Sequence, residues 1–270
     1  MTSSILPQFS IPQGGLWTKG IFKEGTDDQP LITIITVVLN GQNSIRNTIE
    51  NILHQTYPNI ELIVIDGGSK DQTVEIIQSL DSKIDHWISE KDSGIYHAMN
   101  KGINLARGKW LNFMNSGDIF FSNQVVEKLF SGRDFGSTVI IHGNWEVRYG
   151  VSKKRVAISG NSNDLWKGSQ FCHQAVFINT AYHKSNPYLA NSKIVGDFEF
   201  FYKAWKAGET FLKTSETVAS IESGGVSDMK RLEVLKFWKS IIDKDLKSSF
   251  YFLYRYSREF LISRIKKISS

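Results

Sequence analysis

Apolar residues in the first half of the chain fall into short β-branched runs, with helical stripes between them. Leu31–Leu39 is a run of this kind and predicts a strand buried on both faces. Asn40-Gly41 turns the chain, and Ser44 is placed to cap a helix carrying Ile45, Ile49, Ile52 and Leu53, which Tyr57-Pro58-Asn59 ends. Ile60–Ile65 predicts a second strand, followed by a helix that starts at Ser69 or Asp71 and carries Val74, Ile77 and Leu80. A third strand is expected at Ile84–Ser89, then a polar loop from Glu90 to Gly94. Ile95–Ala106 places Ile95, Met99, Ile103 and Ala106 on one helical stripe. Arg107-Gly108 closes it, and Trp110–Met114 is the fourth strand. Strand and helix alternating at this spacing predict an α/β fold, a mostly parallel sheet with right-handed crossovers.

Beyond Asp118 the pattern loosens. Val125–Phe130 predicts a short helix, Thr138–His142 and Trp145–Tyr149 two strands, and His173–Ile178 another. Gly196–Ala207 is a helix opening on an acid, Glu209–Ile221 is extended, and Glu222 to Ser227 is a glycine-containing loop. Two amphipathic helical patterns follow, the first on Met229, Leu232, Leu235, Trp238, Ile241 and Ile242. The second runs on Phe250, Leu253, Tyr254, Leu261, Ile265 and Ile268. The expected organisation is an irregular extension over 1–30, a catalytic-type domain over 31–227 and a basic helical tail over 228–270.

Composition narrows this picture in four ways. With 270 residues, 41% of them hydrophobic, the chain can build one large core. The one cysteine, Cys172, between Phe171 and His173, reads as a small buried hydrophobe and fits a reducing compartment. No basic-then-apolar leader and no run of eighteen apolar residues is visible, so the expected location is cytoplasmic. The net charge of +5 sits at one end: residues 228–270 hold 11 Lys/Arg against 5 Asp/Glu. No zinc spacing or RNA-binding motif accompanies it, so nucleic acid is not an expected partner.

Two strand ends carry the candidate chemistry. Asp66-Gly-Gly-Ser69 follows the second strand, and Asn115-Ser-Gly-Asp118 follows the fourth. Open α/β sheets bind ligands at the carboxyl ends of their strands. One strand-end acid suits a nucleobase, and another suits a metal on a diphosphate.

Thr36-Val-Val-Leu-Asn40, Asp66-Gly-Gly-Ser-Lys-Asp71, Glu90-Lys-Asp-Ser-Gly-Ile-Tyr96, Ala98-Met-Asn-Lys-Gly102, Asn115-Ser-Gly-Asp118 and Gly196-Asp197 occur in a telling order. In that order they resemble family-two glycosyltransferases, in particular the bacterial branch that builds lipopolysaccharide, exopolysaccharide or capsule. The resemblance is strongest over residues 31–130, extends to about 227, and is absent at both ends. It implies a GT-A fold, a nucleotide-diphospho-sugar donor (a UDP-sugar first), a divalent metal (Mg or Mn) on the diphosphate, and inverting transfer to a saccharide or lipid-linked saccharide.

Carried over position by position, the resemblance gives Thr36, Asn40 and Asp66 to the base and ribose. A carboxylate is acceptor-only and suits an imide N–H or a ribose hydroxyl; the alternative for Asp66 is an Asx turn stabilising the next helix. Asp92, Asn100 and Lys101 match the segment that walls the donor pocket, although a turn acid and a solvated lysine satisfy the same pattern. Asn115 to Asp118 match the metal-binding motif with a departure, because only Asp118 is anionic here. One carboxylate suffices for Mg²⁺ or Mn²⁺ when phosphates and waters complete the shell, and Asn115 supplies an amide oxygen or contacts the sugar; the other reading of Asp118 is a cap on a helix beginning near Ser122. Asp197 matches the catalytic base, at a helix N-terminus that favours its ionised form; Glu199 is the rival, facing differently. His173, in Cys-His-Gln, is placed near the metal or diphosphate, or is structural.

The tail interleaves aromatics with cations, as in a segment lying on a membrane surface, so peripheral attachment to the inner face of the plasma membrane is expected. A helix pair packed on the domain is the other reading. Two further functions stay in play: a nucleotidyltransferase, disfavoured by the short uncharged Asn40-Gly41-Gln42-Asn43 turn, and a non-catalytic binding protein on the same scaffold.

Overall fold

The computed structural model describes residues 11–150, 152–189, 192, 194–225 and 230–268, with side chains described to residue 260. Residues 1–10, Val226, Ser227, Asp228, Met229 and the side chains of Leu261, Ile265 and Ile268, all used above, lie outside the described part.

Among the described residues, ten strands form one sheet: β1 (Gln13–Gly14), β2 (Ile32–Val38), β3 (Ile60–Asp66), β4 (His86–Ser89), β5 (Trp110–Phe113), β6 (Ile119–Phe120), β7 (Thr138–Tyr149), β8 (Lys153–Ala157), β9 (Val176–Asn179) and β10 (Thr210–Glu222). Their order is β1-β4-β3-β2-β5-β9-β7-β10-β6, with β8 paired to β7. The central strands β4, β3, β2 and β5 are parallel, in a register that sets Ile35 beside Ile63 and Phe113. Beyond β5 the sheet turns mixed: β9 pairs antiparallel with β5 and β7, while β7 and β10 run parallel.

All seven residues of β2 and of β3 are buried, as a strand covered on both faces requires. Side-chain alternation sends Ile35, Val37, Ile63 and Ile65 into one apolar cluster and Ile32, Ile34, Leu62 and Val64 into the other. Helices α1 (Ile45–Leu53) and α2 (Thr73–Ser79) cover the second face. The first is covered by α3 (Ile95–Leu105) and, after the short α4 (Val125–Phe130) and α5 (Thr180–Ser185), by α6 (Gly196–Lys206). Gly102 brings α3 down onto the sheet, since a Cβ there would stand 2.4 Å from Ile35 Cγ2.

The strand order reverses at β2, whose neighbours β3 and β5 follow it in opposite directions across the sheet. The crevice this creates opens at the carboxyl ends of β2 and β5.

Several sequence expectations change in detail. His173 does not begin a strand: His173–Ala175 is a 3-10 turn, and β9 starts at Val176. The two strands expected at Thr138–His142 and Trp145–Tyr149 are the single strand β7, continued through Gly143, where a Cβ would strike the Glu216 carbonyl at 2.6 Å. Ser44 makes no side-chain cap on α1, and its hydroxyl instead meets Ser116 Oγ at 2.8 Å. The N-terminal extension is not wholly irregular, because β1 adds to the sheet edge and Trp17 stacks on His86 at 4.8 Å. The tail forms α7 (Arg231–Ile241) and α8 (Leu246–Ile268), whose Val234, Leu235, Ile242 and Phe252 are buried in the same cluster as α3 and α6.

Candidate functional site

The turn after β5 is held from three sides. Gly117 has φ 101°, a conformation that favours glycine. Thr48 Oγ1 on α1 accepts from Gly117 N at 3.0 Å and donates to the Asp118 carbonyl at 2.9 Å. Arg148 Nη2 on β7 donates to the Gly117 carbonyl at 2.7 Å. So fixed, the Asp118 carboxylate caps no helix and accepts from Gln174 Nε2 at 2.6 Å.

Asp197 enters from the other side, at the N-terminus of α6. Its Oδ1 accepts from Tyr96 Oη at 3.2 Å, and its Oδ2 stands 3.4 Å from His173 Nδ1. The far ring nitrogen, Nε2, lies 3.1 Å from Asn115 Nδ2. A proton on Nδ1, facing the carboxylate, leaves Nε2 to accept from the Asn115 amide. That arrangement frees Asn115 Oδ1, which is buried without a hydrogen-bond partner among the described residues. Tyr96, Asp197, His173 and Asn115 thus form one continuous chain leading to the Asp118 turn.

These groups line a cavity of about 590 Å³. Asn115, Gly117, Asp118, His173, Gln174 and Asp197 supply its polar side, and Phe198, Ile221, Val234 and Trp238 much of its apolar side. The two acids are tuned in opposite directions. Burial pushes the Asp118 carboxyl above the usual range, against the opposing hydrogen bond from Gln174 and the nearby His173. Burial also pushes Asp197 upward, yet the hydrogen bond from His173, the Phe198 amide and Tyr96 together hold it below the usual carboxylate range. One acid is therefore poised to stay ionised, while the other is costly to ionise without a cation nearby.

The remaining candidates lie elsewhere. Asp66 is fully buried at the end of β3 and accepts from Gly68 N, Ser69 N, Ser69 Oγ and Ser89 Oγ. It organises the Asx-type turn and does not line the cavity. Thr36 is also fully buried, inside the sheet, with Oγ1 unpartnered. Asn40, at φ 52°, accepts from Lys70 N at 2.8 Å and so ties the β2 end to the β3 end. Asp92 is half-buried: its Oδ1 accepts from Gly94 N at 2.9 Å, while Oδ2 sits 2.5 Å from where a Cβ on Gly67 would stand. Near the β3 end the half-buried Asp92 is thus a more accessible carboxylate than the fully buried Asp66. Asn100 grips the Tyr188 backbone with both amide atoms, at 2.8 and 3.0 Å. Lys101 is neither solvated nor turned to the cavity, since it pairs with Glu90 at 2.8 Å. Glu199 bonds Lys203 at 2.8 Å and Ser192 at 3.2 Å, away from the cavity that Asp197 lines.

Several site residues left little mark in the local pattern. Tyr96 sits inside a motif that marked the helix without marking the hydroxyl. Glu222, ending β10, lines the cavity, with Oε2 4.0 Å from the Cβ direction of Gly117. Arg148 and Trp238 reach the site only through strand pairing and helix packing, which local patterning does not encode.

Among the described residues no three His, Cys, Asp or Glu side chains gather to form a metal cluster. The oxygen donors of Asp118 and the unpartnered Asn115 Oδ1 nevertheless suit a hard divalent cation completed by phosphate oxygens and water.

Residues 33–191 match the sequence model of glycosyl transferase family 2. An uncharacterized glycosyltransferase of Rickettsia prowazekii is 37% identical over 100 residues, covering 37% of this chain and 31% of that protein. A PGL/p-HBAD biosynthesis glycosyltransferase of Mycobacterium bovis is 25% identical over 217 residues, covering 74% of this chain and 80% of that one. The chain therefore spans about a third of the first relative's length and most of the second's. Among solved structures, S. aureus TarS in complex with UDP superposes with TM-score 0.61 at 18% identity, over 87% of this chain and 73% of that one. The mannosyltransferase PcManGT of Pyrobaculum calidifontis, in complex with GDP-Man and Mn²⁺, gives 0.63 at 15% identity, over 88% and 74%. At these identities the likeness shows the fold, which is of the GT-A type.

Proposed function

Since the chain belongs to glycosyl transferase family 2, we propose that it is an inverting transferase moving a sugar from a nucleotide-diphospho-sugar to a hydroxyl acceptor. The observation that carries this reading is the Tyr96–Asp197–His173–Asn115 chain, which joins an ionised base to the Asp118 turn within one cavity. Asp197 Oδ takes the proton of the acceptor hydroxyl as that oxygen bonds to the anomeric carbon. The bond from that carbon to the diphosphate breaks on the opposite face. His173 and Tyr96 hold the carboxylate in place, so little reorganisation is needed when the acceptor arrives.

Asp118 and Asn115 Oδ1 would hold a divalent ion, Mg²⁺ or Mn²⁺, which when bound neutralises charge on the departing diphosphate. A bound cation would also relieve the cost of ionising the half-buried Asp118 carboxyl. For the nucleoside, the half-buried Asp92, together with Asn40 just after β2, replaces Asp66 as the base-reading group. Asp66 has its lone pairs committed to four internal donors. A carboxylate acceptor matches the imide N–H of uracil, and structural neighbours were solved with UDP and UDP-GlcNAc, though another holds GDP-Man. A UDP-sugar is the donor proposed first. The acceptor is a saccharide, free or lipid-linked, of the kind used in cell-surface polysaccharide synthesis.

Release of nucleoside diphosphate from a panel of UDP-, GDP- and dTDP-sugars, with and without Mn²⁺, tests this reading. Metal-stimulated turnover of one donor is expected. Absence of turnover and of donor binding across the panel would remove it.

A further inference from the structure

Among the described residues, helix α8 is covered on one side only. Ser248 and Phe252 are buried, and Tyr251, Arg255 and Glu259 are half-buried, so this side of the helix packs inward. Phe252 joins the core, Tyr251 meets the Trp166 ring at 5.5 Å, and Arg255 donates to Tyr251 Oη at 2.7 Å. The opposite side follows helical spacing through Leu246, Phe250 and Leu253, with Tyr254 beside them. These are exposed by 80%, 69%, 62% and 64% respectively. A helix packed on a domain ordinarily turns a polar side to water. Here the outward side is mostly aliphatic and aromatic, the kind of contiguous patch that marks an interaction surface.

Charge identifies the occupant. Leu246–Ile268 holds six Lys/Arg against the single acid Glu259, a surplus equal to the net +5 of the entire chain. Lys247 and Arg258 fall at one edge of the stripe. Lys236, from α7, lies 6.0 Å from the ring of Tyr256 at the other edge. Cations flanking an apolar stripe match a surface whose headgroups are anionic and whose interior is hydrocarbon. A second copy of this chain would bring the same positive surplus to the contact and repel it. No described helix is long and apolar enough to cross a membrane, so the contact would lie in the interface plane.

We infer that the outer face of α8 docks this protein in the plane of an anionic phospholipid bilayer, Leu246, Phe250, Leu253 and Tyr254 entering the acyl boundary while the flanking cations meet headgroups. This does not rest on the transferase reading. It bears on it through α7, which packs on α8 and whose Val234 and Trp238 wall the cavity. Docking would hold that cavity beside the membrane, where a lipid-linked acceptor is met.

The test is co-sedimentation of the full chain with large vesicles of neutral phosphatidylcholine, or of phosphatidylcholine mixed with phosphatidylglycerol. Binding to the anionic vesicles is expected, at least about tenfold above the neutral ones, weakening as salt screens the headgroups. The triple variant Leu246→Glu, Phe250→Glu, Leu253→Glu should lose that binding while keeping the melting temperature and donor turnover, because none of the three is in the core or the cavity. Equal sedimentation with and without vesicles would overturn the inference. So would a concentration-dependent dimer, seen by analytical ultracentrifugation, that the triple variant abolishes. Turnover unchanged by loss of vesicle binding leaves the transferase reading standing by itself.

Discussion

Replacing Asp197 with Asn separates chemistry from structure at this site. Asn keeps the size of the side chain and one acceptor oxygen, so it can still meet Tyr96 Oη, now at 3.2 Å, or His173, now at 3.4 Å, though not both as before. The lost partner is a hydrogen bond to a charged group, worth about 1.5–3 kcal/mol, but removing a partly buried charge offsets part of that. The net change in stability should therefore be small. Catalysis should respond far more strongly, because the amide cannot take a proton. General-base contributions run to about 10²–10⁴-fold, equivalent to about 2.7–5.4 kcal/mol on the barrier. The assay is steady-state transfer with the donor that the panel identifies, alongside thermal melts with and without nucleotide. Asp197→Asn should lower kcat by that factor and leave donor binding unchanged, while Glu199→Gln, whose side chain faces Lys203, should change kcat less than about twofold. If Asp197→Asn turned over within a few-fold of the native protein, or if Glu199→Gln were the inactive variant, the assignment would be wrong.

Asp118→Asn should abolish the Mn²⁺-dependent part of the thermal stabilisation by UDP, which at a hundred times Kd amounts to about 2.7 kcal/mol. The free variant should melt no lower than the native protein, since burial disfavours the charge it removes; an undiminished Mn²⁺ effect would exclude Asp118 as ligand. His173→Gln removes the main lowering influences on Asp197 while burial, which raises it, remains. The folded carboxyl pKa should rise, so activity should fall at mildly acidic pH more than at pH about 8. A pH–rate profile displaced equally at all pH values would contradict this. The depressed Asp197 pKa also stabilises the native protein above the ordinary carboxylate pKa of about 3.9, a contribution lost as pH falls through the folded value and reduced in this variant. Phe177→Ala, at a fully buried ring stacked on Phe120 and edge-on to Phe130, should cost about 3–5 kcal/mol in denaturant unfolding. Gly102→Ala should destabilise by about 1–3 kcal/mol despite better helix propensity, because its methyl would meet Ile35.

Local patterning determined the parallel half of the sheet and the helices that cover it. β2 and β3 were legible as continuous apolar runs, because strands covered on both faces have no polar side to present. The Asn115-Ser-Gly-Asp118 turn was legible because it ends such a run, and Asp197 because an acid opens an amphipathic helix. What patterning could not decide was where side chains point once the strands have paired. Asp66 stands at a strand end as a ligand-binding acid should, yet backbone amides and hydroxyls from its own loop and from β4 absorb its lone pairs. Lys101 has the right charge for phosphate, but Glu90 is nearer. Contacts between residues a hundred positions apart, Tyr96 with Asp197 above all, exist only because α3 and α6 pack on the same sheet face. The same holds for α8, whose composition announced a basic aromatic helix while only packing separated its buried side from the exposed one. Secondary structure answers to neighbours a few residues away; the site answers to neighbours that only the folded sheet brings together.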